Sequence, residues 1–130
     1  MINYVSTKGG ISPVAFDVAV LSGFAADGGL YVPETIPKIT QSQFKNWAEL
    51  SYTDLAFEIL SMFIDRSIIP SIDLKKLIFD SYSALESPRV IDMVPLGEDR
   101  RTIIMELFHG PTVSFKDVAM GFLSNVLDYL

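Results

Sequence analysis

An apolar run over residues 102–108 leads into His109-Gly110-Pro111-Thr112, and the apolar residues beyond it return only at helical spacing. Those later positions are Val118, Ala119, Phe122, Leu123, Val126 and Leu127, the stripe of an amphipathic helix. Glycine followed by proline makes the middle segment a turn, so the chain is committed here to strand, turn, helix. Ser114 is the predicted N-cap, with Asp117 three residues on closing a capping-box-like pair and Val113 stapled onto Val118. Lys116 then falls in the first helical turn, where the positive end of the helix dipole disfavours an ammonium by up to about 1 kcal/mol. That placement suits an amine whose chemistry needs it neutral, as in Schiff-base formation with a carbonyl compound. The other use of a lone lysine here is solvation near a helix end, with Asp117 offsetting its charge.

Upstream, the pattern alternates short strands and capped helices. Residues 2–7 read as a strand ended by Gly9-Gly10, and Ser6, Thr7 and Lys8 with those glycines form either a small anion-binding turn or a polar loop. Ser12-Pro13 supplies a cap and a first-turn proline for a helix running to about Gly23, with Ala15 the other cap position. Asp27-Gly28-Gly29 is a turn, and residues 30–32 a strand stopped by Pro33. Thr40 and Gln43 predict a capping box, with Ile39 stapled onto Phe44, for a helix through Trp47 to about Glu49. Ser51 and Asp54 repeat the device, with Leu50 and Leu55 as the staple. Leu55, Ala56, Ile59, Met62 and Phe63 form the next stripe, which ends over residues 66–70; Ser71 then begins a helix through Leu74, Leu77, Ile78 and Tyr82.

Residues 40–85 thus form a helical layer without facing carboxylates or histidines, broken at Ser87-Pro88. Phe44, Trp47, Phe57 and Phe63 belong to its core rather than to a cofactor cage. Residues 90–96 and 102–108 pair as a hairpin through 97–100. His109, the only histidine, is either a hydrogen-bonding turn residue or part of a site. Thr112 and Ser114 serve as caps or line an anion or cofactor edge at the free N–H groups of the helix start.

Composition narrows the function classes. The 130 residues suffice for a core, and the absence of cysteine removes disulfides, thiolate chemistry and thiolate metal sites. A formal charge of −6 without a lysine or arginine cluster disfavours nucleic acid and anionic membranes. There is no signal-peptide pattern and no apolar run of spanning length, which gives a soluble, cytoplasmic reading. Hydrophobic content of 49% and a mean hydropathy of +0.34 are high for a self-contained domain. The sequence also stops inside a helical pattern, at Val126-Leu127-Asp128-Tyr129-Leu130. A truncated N-terminal portion, with an apolar face free to self-associate, is the expectation.

His109-Gly110-Pro111-Thr112-Val113-Ser114-Phe115-Lys116-Asp117 resembles the lysine motif of threonine synthase, His-Gly-Pro-Thr-x-x-Phe-Lys-Asp. Tyr4-Val5-Ser6-Thr7-Lys8-Gly9-Gly10 is similar to that family's Tyr-x-Ser-Thr-Arg-Gly opening, and Asp27-Gly28-Gly29-Leu30-Tyr31-Val32-Pro33 to its next block. Lys8 stands where arginine is common, keeping the charge but losing a bidentate grip on an anion. The resemblance implies the N-terminal part of a fold type II pyridoxal-phosphate enzyme: α/β, with short strands, a helical layer and a mixed sheet, residues 1–130 forming one domain that ends at the cofactor-lysine helix.

It further implies pyridoxal 5'-phosphate held covalently on Lys116, which also transfers protons as O-phosphohomoserine and water become threonine and phosphate. His109, Thr112, Ser114 and Asp117 would line the site, and Ser6, Thr7 and Lys8 would meet the substrate's phosphate; Asp27 lies nearby without an assigned role, and no metal is implied. In this cofactor class the groups gripping the phosphate and ring come largely from later segments, and no glycine-rich phosphate loop occurs here. The 130-residue chain by itself is therefore expected to lack turnover. The alternatives are a non-catalytic packing or dimerisation domain, or a related phospho-lyase with another substrate.

Overall fold

The capping signals place the helices. A computed structural model describes residues 2–83, 85, 87 and 89–130. Thr40 and Gln43 form the full reciprocal box at the start of α2 (Gln41–Trp47), and Ser51 Oγ accepts the Asp54 N–H at 3.2 Å to open α3 (Tyr52–Leu60). The first helix, α1 (Phe16–Ser22), starts after Ala15, the second of the two cap positions, and ends at Gly23, whose φ of 68° suits glycine. Pro70 precedes α4 (Ser71–Tyr82), where its missing N–H costs no helical bond. The stripe expected to continue through Met62 and Phe63 stops at Leu60, and those two residues lie in the following turn. Of the predicted break, Pro88 lies outside the described residues; Ser87 is buried and donates its hydroxyl to Asp92 at 2.7 Å.

Strands β1 (Tyr4–Ser6) and β2 (Tyr31–Pro33) pair antiparallel, Ser6 opposite Tyr31. Strands β3 (Asp92–Leu96) and β4 (Thr102–Glu106) pair antiparallel with Asp92 opposite Glu106. The architecture is α/β, as expected, but the described residues build two separate two-stranded ladders and no mixed sheet. The second hairpin turns through Gly97 (φ 78°) and Arg100 (φ 52°). It is shorter than the sequence pattern suggests. Val90 is buried with a φ of 64°, so pairing starts only at Asp92, and the chain leaves the ladder after Glu106.

Ile64, Ile69, Leu74, Ile78 and Val126 form the buried core, flanked by Phe57, Leu60, Leu77, Tyr82 and Phe122. The last helix, α5 (Asp117–Tyr129), therefore lies against α4. Two polar bonds fix its register: Asn125 Nδ2 donates to Ser81 Oγ at 2.8 Å, and the Tyr129 hydroxyl to Asp73 at 2.8 Å. Of the four aromatics assigned to the core, Phe57 packs there with Lys75 Nζ 4.7 Å from its ring centroid. Phe44 does not: it is 71% exposed, because α2 is short and buries no residue fully. The β3–β4 hairpin leaves Met93, Ile103, Ile104 and Met105 open to solvent, and these account for part of the high hydropathy. Among the described residues no helix is long and apolar enough to cross a membrane.

Candidate active site around the Lys116 turn

Strand β4 delivers the chain to the turn, and α5 carries it away. Between them, Val113 N–H donates to Gly110 O at 3.0 Å, and Val113 itself has a φ of 59°. Lys116 is helical in conformation and stands one position before α5, as its N-cap, rather than within its first turn. Its side chain is exposed, and among the described residues its ammonium has neither a hydrogen bond nor an ion pair.

The capping box predicted for Ser114 and Asp117 is not formed. Ser114 instead closes a separate turn, its Oγ accepting the Lys116 N–H at 3.3 Å and its carbonyl the Asp117 N–H at 3.0 Å. The Asp117 carboxylate reaches backward to Thr112, accepting the N–H at 2.9 Å and the hydroxyl at 2.6 Å. The Thr112 hydroxyl, foremost, holds this carboxyl below the usual aspartate range, with the Thr112 and Ser114 backbone adding to it against partial desolvation. Nor does Val113 staple onto Val118; it is 70% exposed. The left-handed Val113 is the physical reason: it swings Ser114 out of cap position and brings Thr112 over the carboxylate. Gly110 has a matching role, since a Cβ there would come within 2.7 Å of Asp117 Cγ and closer still to its Cβ.

His109 is half-buried beside β4. Its Nε2 lies 2.7 Å from Glu106 Oε2 and 3.7 Å from Asp92 Oδ2, and its ring stacks against Phe108 at 4.7 Å. Asp92 in turn accepts from Ser87 and lies 3.9 Å from Arg89 Nη1. The ligand atoms of Asp92, Glu106 and His109 fall within 4.8 Å of one another. Hydrogen bonding within the group, with Ser87 and Arg89 at its edge, already accounts for the arrangement. Asp92 and Glu106 were not singled out from the sequence. The hairpin register, which sets them opposite each other and next to His109, is the signal that finds them.

Ser6, Thr7 and Lys8 come together as expected, but around Asp27 rather than around an open anion pocket. Asp27 Oδ1 accepts from the buried Ser6 hydroxyl at 2.7 Å and from Gly29 N–H at 2.9 Å, while Oδ2 accepts from Gly10 N–H at 2.9 Å. The Ser6 hydroxyl, foremost, lowers its carboxyl below the usual range. Ser6 Oγ also accepts from Lys8 N–H at 3.1 Å, and Thr7 Oγ1 from Leu30 N–H at 3.0 Å. The Ser6 hydroxyl and the Gly10 and Gly29 N–H groups, donors that an anion would use, are taken by this internal carboxylate. Thr7 and Lys8 both remain exposed, and Lys8 Nζ donates to the Asp27 carbonyl at 3.2 Å. Asp27 is more than a turn-former: it is the hub that joins the 4–10 and 27–33 segments, which Gly10 and Gly29 permit by leaving room for it. No hydrogen bond or ion pair among the described residues joins this turn to the Lys116 turn.

Comparison with known proteins follows the same division. Residues 3–82 match the family model described as Threonine synthase N terminus. A curated threonine synthase from Schizosaccharomyces pombe is 41% identical over 128 residues, covering 98% of this chain and 24% of that protein. The crystal structure of threonine synthase from yeast superposes with a TM-score of 0.92 at 42% identity, over 98% of this chain and 26% of that one. The structure of PLP-bound threonine synthase from Brucella melitensis does so with a TM-score of 0.93 at 36% identity, over 99% of this chain and 27% of that one. The chain spans about a quarter of the length of the curated relatives it matches.

Proposed function

The chain belongs to the threonine synthase family as its N-terminal portion, and from that premise we propose that residues 1–130 are the N-terminal domain of a longer, cytoplasmic threonine synthase and carry its cofactor lysine, Lys116. The enzyme of the relatives' length would be a carbon–oxygen lyase that acts on a phosphate ester, converting O-phosphohomoserine and water to threonine and phosphate. The observation that carries this reading is the Lys116 amine: exposed, unpartnered among the described residues, and held at the start of a 13-residue helix by a braced turn.

Those residues fit pyridoxal 5'-phosphate, the group bound in the Brucella relative. When bound, it supplies an aldehyde for the lysine amine and an electron-withdrawing ring that stabilises carbanions beside the amino-acid nitrogen. Lys116 Nζ would hold the cofactor and carry protons to and from the substrate. His109, oriented by Glu106, and Thr112, Ser114 and Asp117 would form the wall of the site on this side. Of the opening block, Ser6 serves the Asp27 turn, leaving the exposed Thr7 and Lys8 as the groups that would meet the substrate's phosphate.

The test is borohydride reduction of the cofactor-loaded enzyme, followed by peptide mapping. The phosphopyridoxyl mass is expected on Lys116, and Lys116→Ala should abolish the imine absorbance while preserving the fold. A label on any other side chain overturns the assignment. Residues 1–130 alone should release no phosphate from O-phosphohomoserine.

A further inference from the structure

The turn before Lys116 holds a residue that ought not to be there. Val113 is β-branched and has a φ of 59°. A branched side chain in the left-handed region is strained, and such strain persists only where the surroundings over-determine the backbone. Packing does not supply the constraint, because Val113 is 70% exposed. Its N–H bond to Gly110 O is one tether. The stronger one spans it: Asp117, on the far side of the loop, grips both polar groups of Thr112, the residue just before Val113, at 2.9 and 2.6 Å. These are charge-assisted bonds from two donors of one residue, a geometry that fixes direction as well as distance. A third contact closes the ring, since the Asp117 side chain lies where a Cβ on Gly110 would be.

Lys116 sits at the joint between this ring and the helix. Its N–H donates to Ser114 Oγ, and its carbonyl accepts from Ala119 and Met120 N–H at 3.0 and 2.8 Å. We propose that Asp117 is a positioning residue: by clasping Thr112 across the strained Val113, it preforms the backbone from which Lys116 extends. The inference rests on the reading of Lys116 as cofactor anchor. Each carboxylate oxygen accepts one bond from Thr112, and the role assigned to Asp117 is exerted through that loop. The logic is that of preorganisation, in which a displacement of about 1 Å at a catalytic group costs on the order of a hundredfold in rate.

Strain gives the test its leverage. If the clasp exists to hold Val113 left-handed, a glycine at 113, which adopts that conformation freely, makes the clasp largely dispensable. The variants are Asp117→Asn and Thr112→Val, close in shape to the native residues and cutting the clasp from opposite ends, each alone and with Val113→Gly. In cofactor-free enzyme, amide exchange at Thr112 and Val113 should quicken about tenfold or more in each single variant. In loaded enzyme, kcat should fall about tenfold or more with little change in KM, and the imine band should titrate over a shifted pH range.

Adding Val113→Gly should restore at least several-fold of the lost kcat and return the imine titration toward wild type. The proposal is overturned if either single variant leaves exchange unchanged, if the two variants behave differently, or if Val113→Gly fails to rescue; the last result would make Asp117 a direct ligand contact or a plain structural residue. Exchange that quickens as expected, in an enzyme whose cofactor maps elsewhere than Lys116, keeps the clasp and rejects the anchor.

Discussion

Val126 is the point at which the lysine-bearing helix is tied to the core, and Val126→Ala should measure how much that tie contributes. The side chain is 1% exposed and packs with Ile64, Ile69, Leu74 and Ile78. Truncation removes two carbons at roughly 0.8 kcal/mol each, and incomplete closure of the cavity raises the expected loss to about 2–3 kcal/mol. Equilibrium urea unfolding reads the loss directly, and a thermal scan should show a fall of the order of 10 °C. Val126→Thr separates the terms: the shape is kept, and the new hydroxyl can satisfy itself on the carbonyl one turn back, so the cost should be smaller. Phe122 keeps a partly buried contact at the edge of the core, and the Asn125–Ser81 and Tyr129–Asp73 bonds are polar and cannot make up the apolar loss. A loss below about 0.5 kcal/mol, the size expected of a surface change, would show that α5 is not part of the core and that Lys116 owes nothing to it.

Four more outcomes are expected. Gly121→Ala, within α5, should stabilise by about 0.5–1 kcal/mol, because the added Cβ meets only Ser81 O at an ordinary 3.6 Å. Gly29→Ala should instead destabilise by about 1–3 kcal/mol through overpacking, since its Cβ would overlap Ser6 Oγ and come within 3.2 Å of Lys8 N; thermal melts of both variants check the contrast. Asp27 and Asp117 have folded-state values below the usual 3.8, so the native state binds fewer protons than the unfolded one as pH falls through that range. Their contribution is present above 3.8 and is lost on acidification below it, and Asp27→Asn should flatten the urea-midpoint profile between about pH 5 and 2. Residues 1–130 should sediment as concentration-dependent oligomers, because the β3–β4 hairpin and Phe44 expose apolar surface; a monomer throughout would refute this.

Much of the scaffold was legible because local rules set it. The Thr40 and Ser51 caps depend on side chains three residues apart, and nothing distant competes with them. The hairpin was legible for the same reason, its two strands being joined by a short turn. Where distant contacts decide, the reading failed. Phe44 has the spacing of a core residue, yet spacing cannot say whether another layer arrives to cover it. The pairing of β1 with β2 commits Ser6 to Asp27, so one hydroxyl of the turn braces a carboxylate, which spacing alone does not reveal.

The Lys116 turn shows the same limit at its sharpest. Ser114 and Asp117 have the spacing of a capping box, while Thr112 and Asp117 have the spacing of nothing in particular, yet the second pair is the one that forms. Choosing between them depends on one backbone angle, at Val113, and a β-branched residue is among the last that a sequence rule would place in the left-handed region. Local preference and observed geometry conflict here, as they also do at Val90, a second valine, with a φ of 64°. A fold under no other demand would be expected to remove such a conflict by a single substitution to glycine. That the strained residue precedes Lys116 in the same turn, bridged by a carboxylate that grips Thr112 with both oxygens, is the observation that ties the strain to function. The double variant of Asp117→Asn with Val113→Gly decides it, because only a clasp that exists to contain strain becomes unnecessary when the strain is gone.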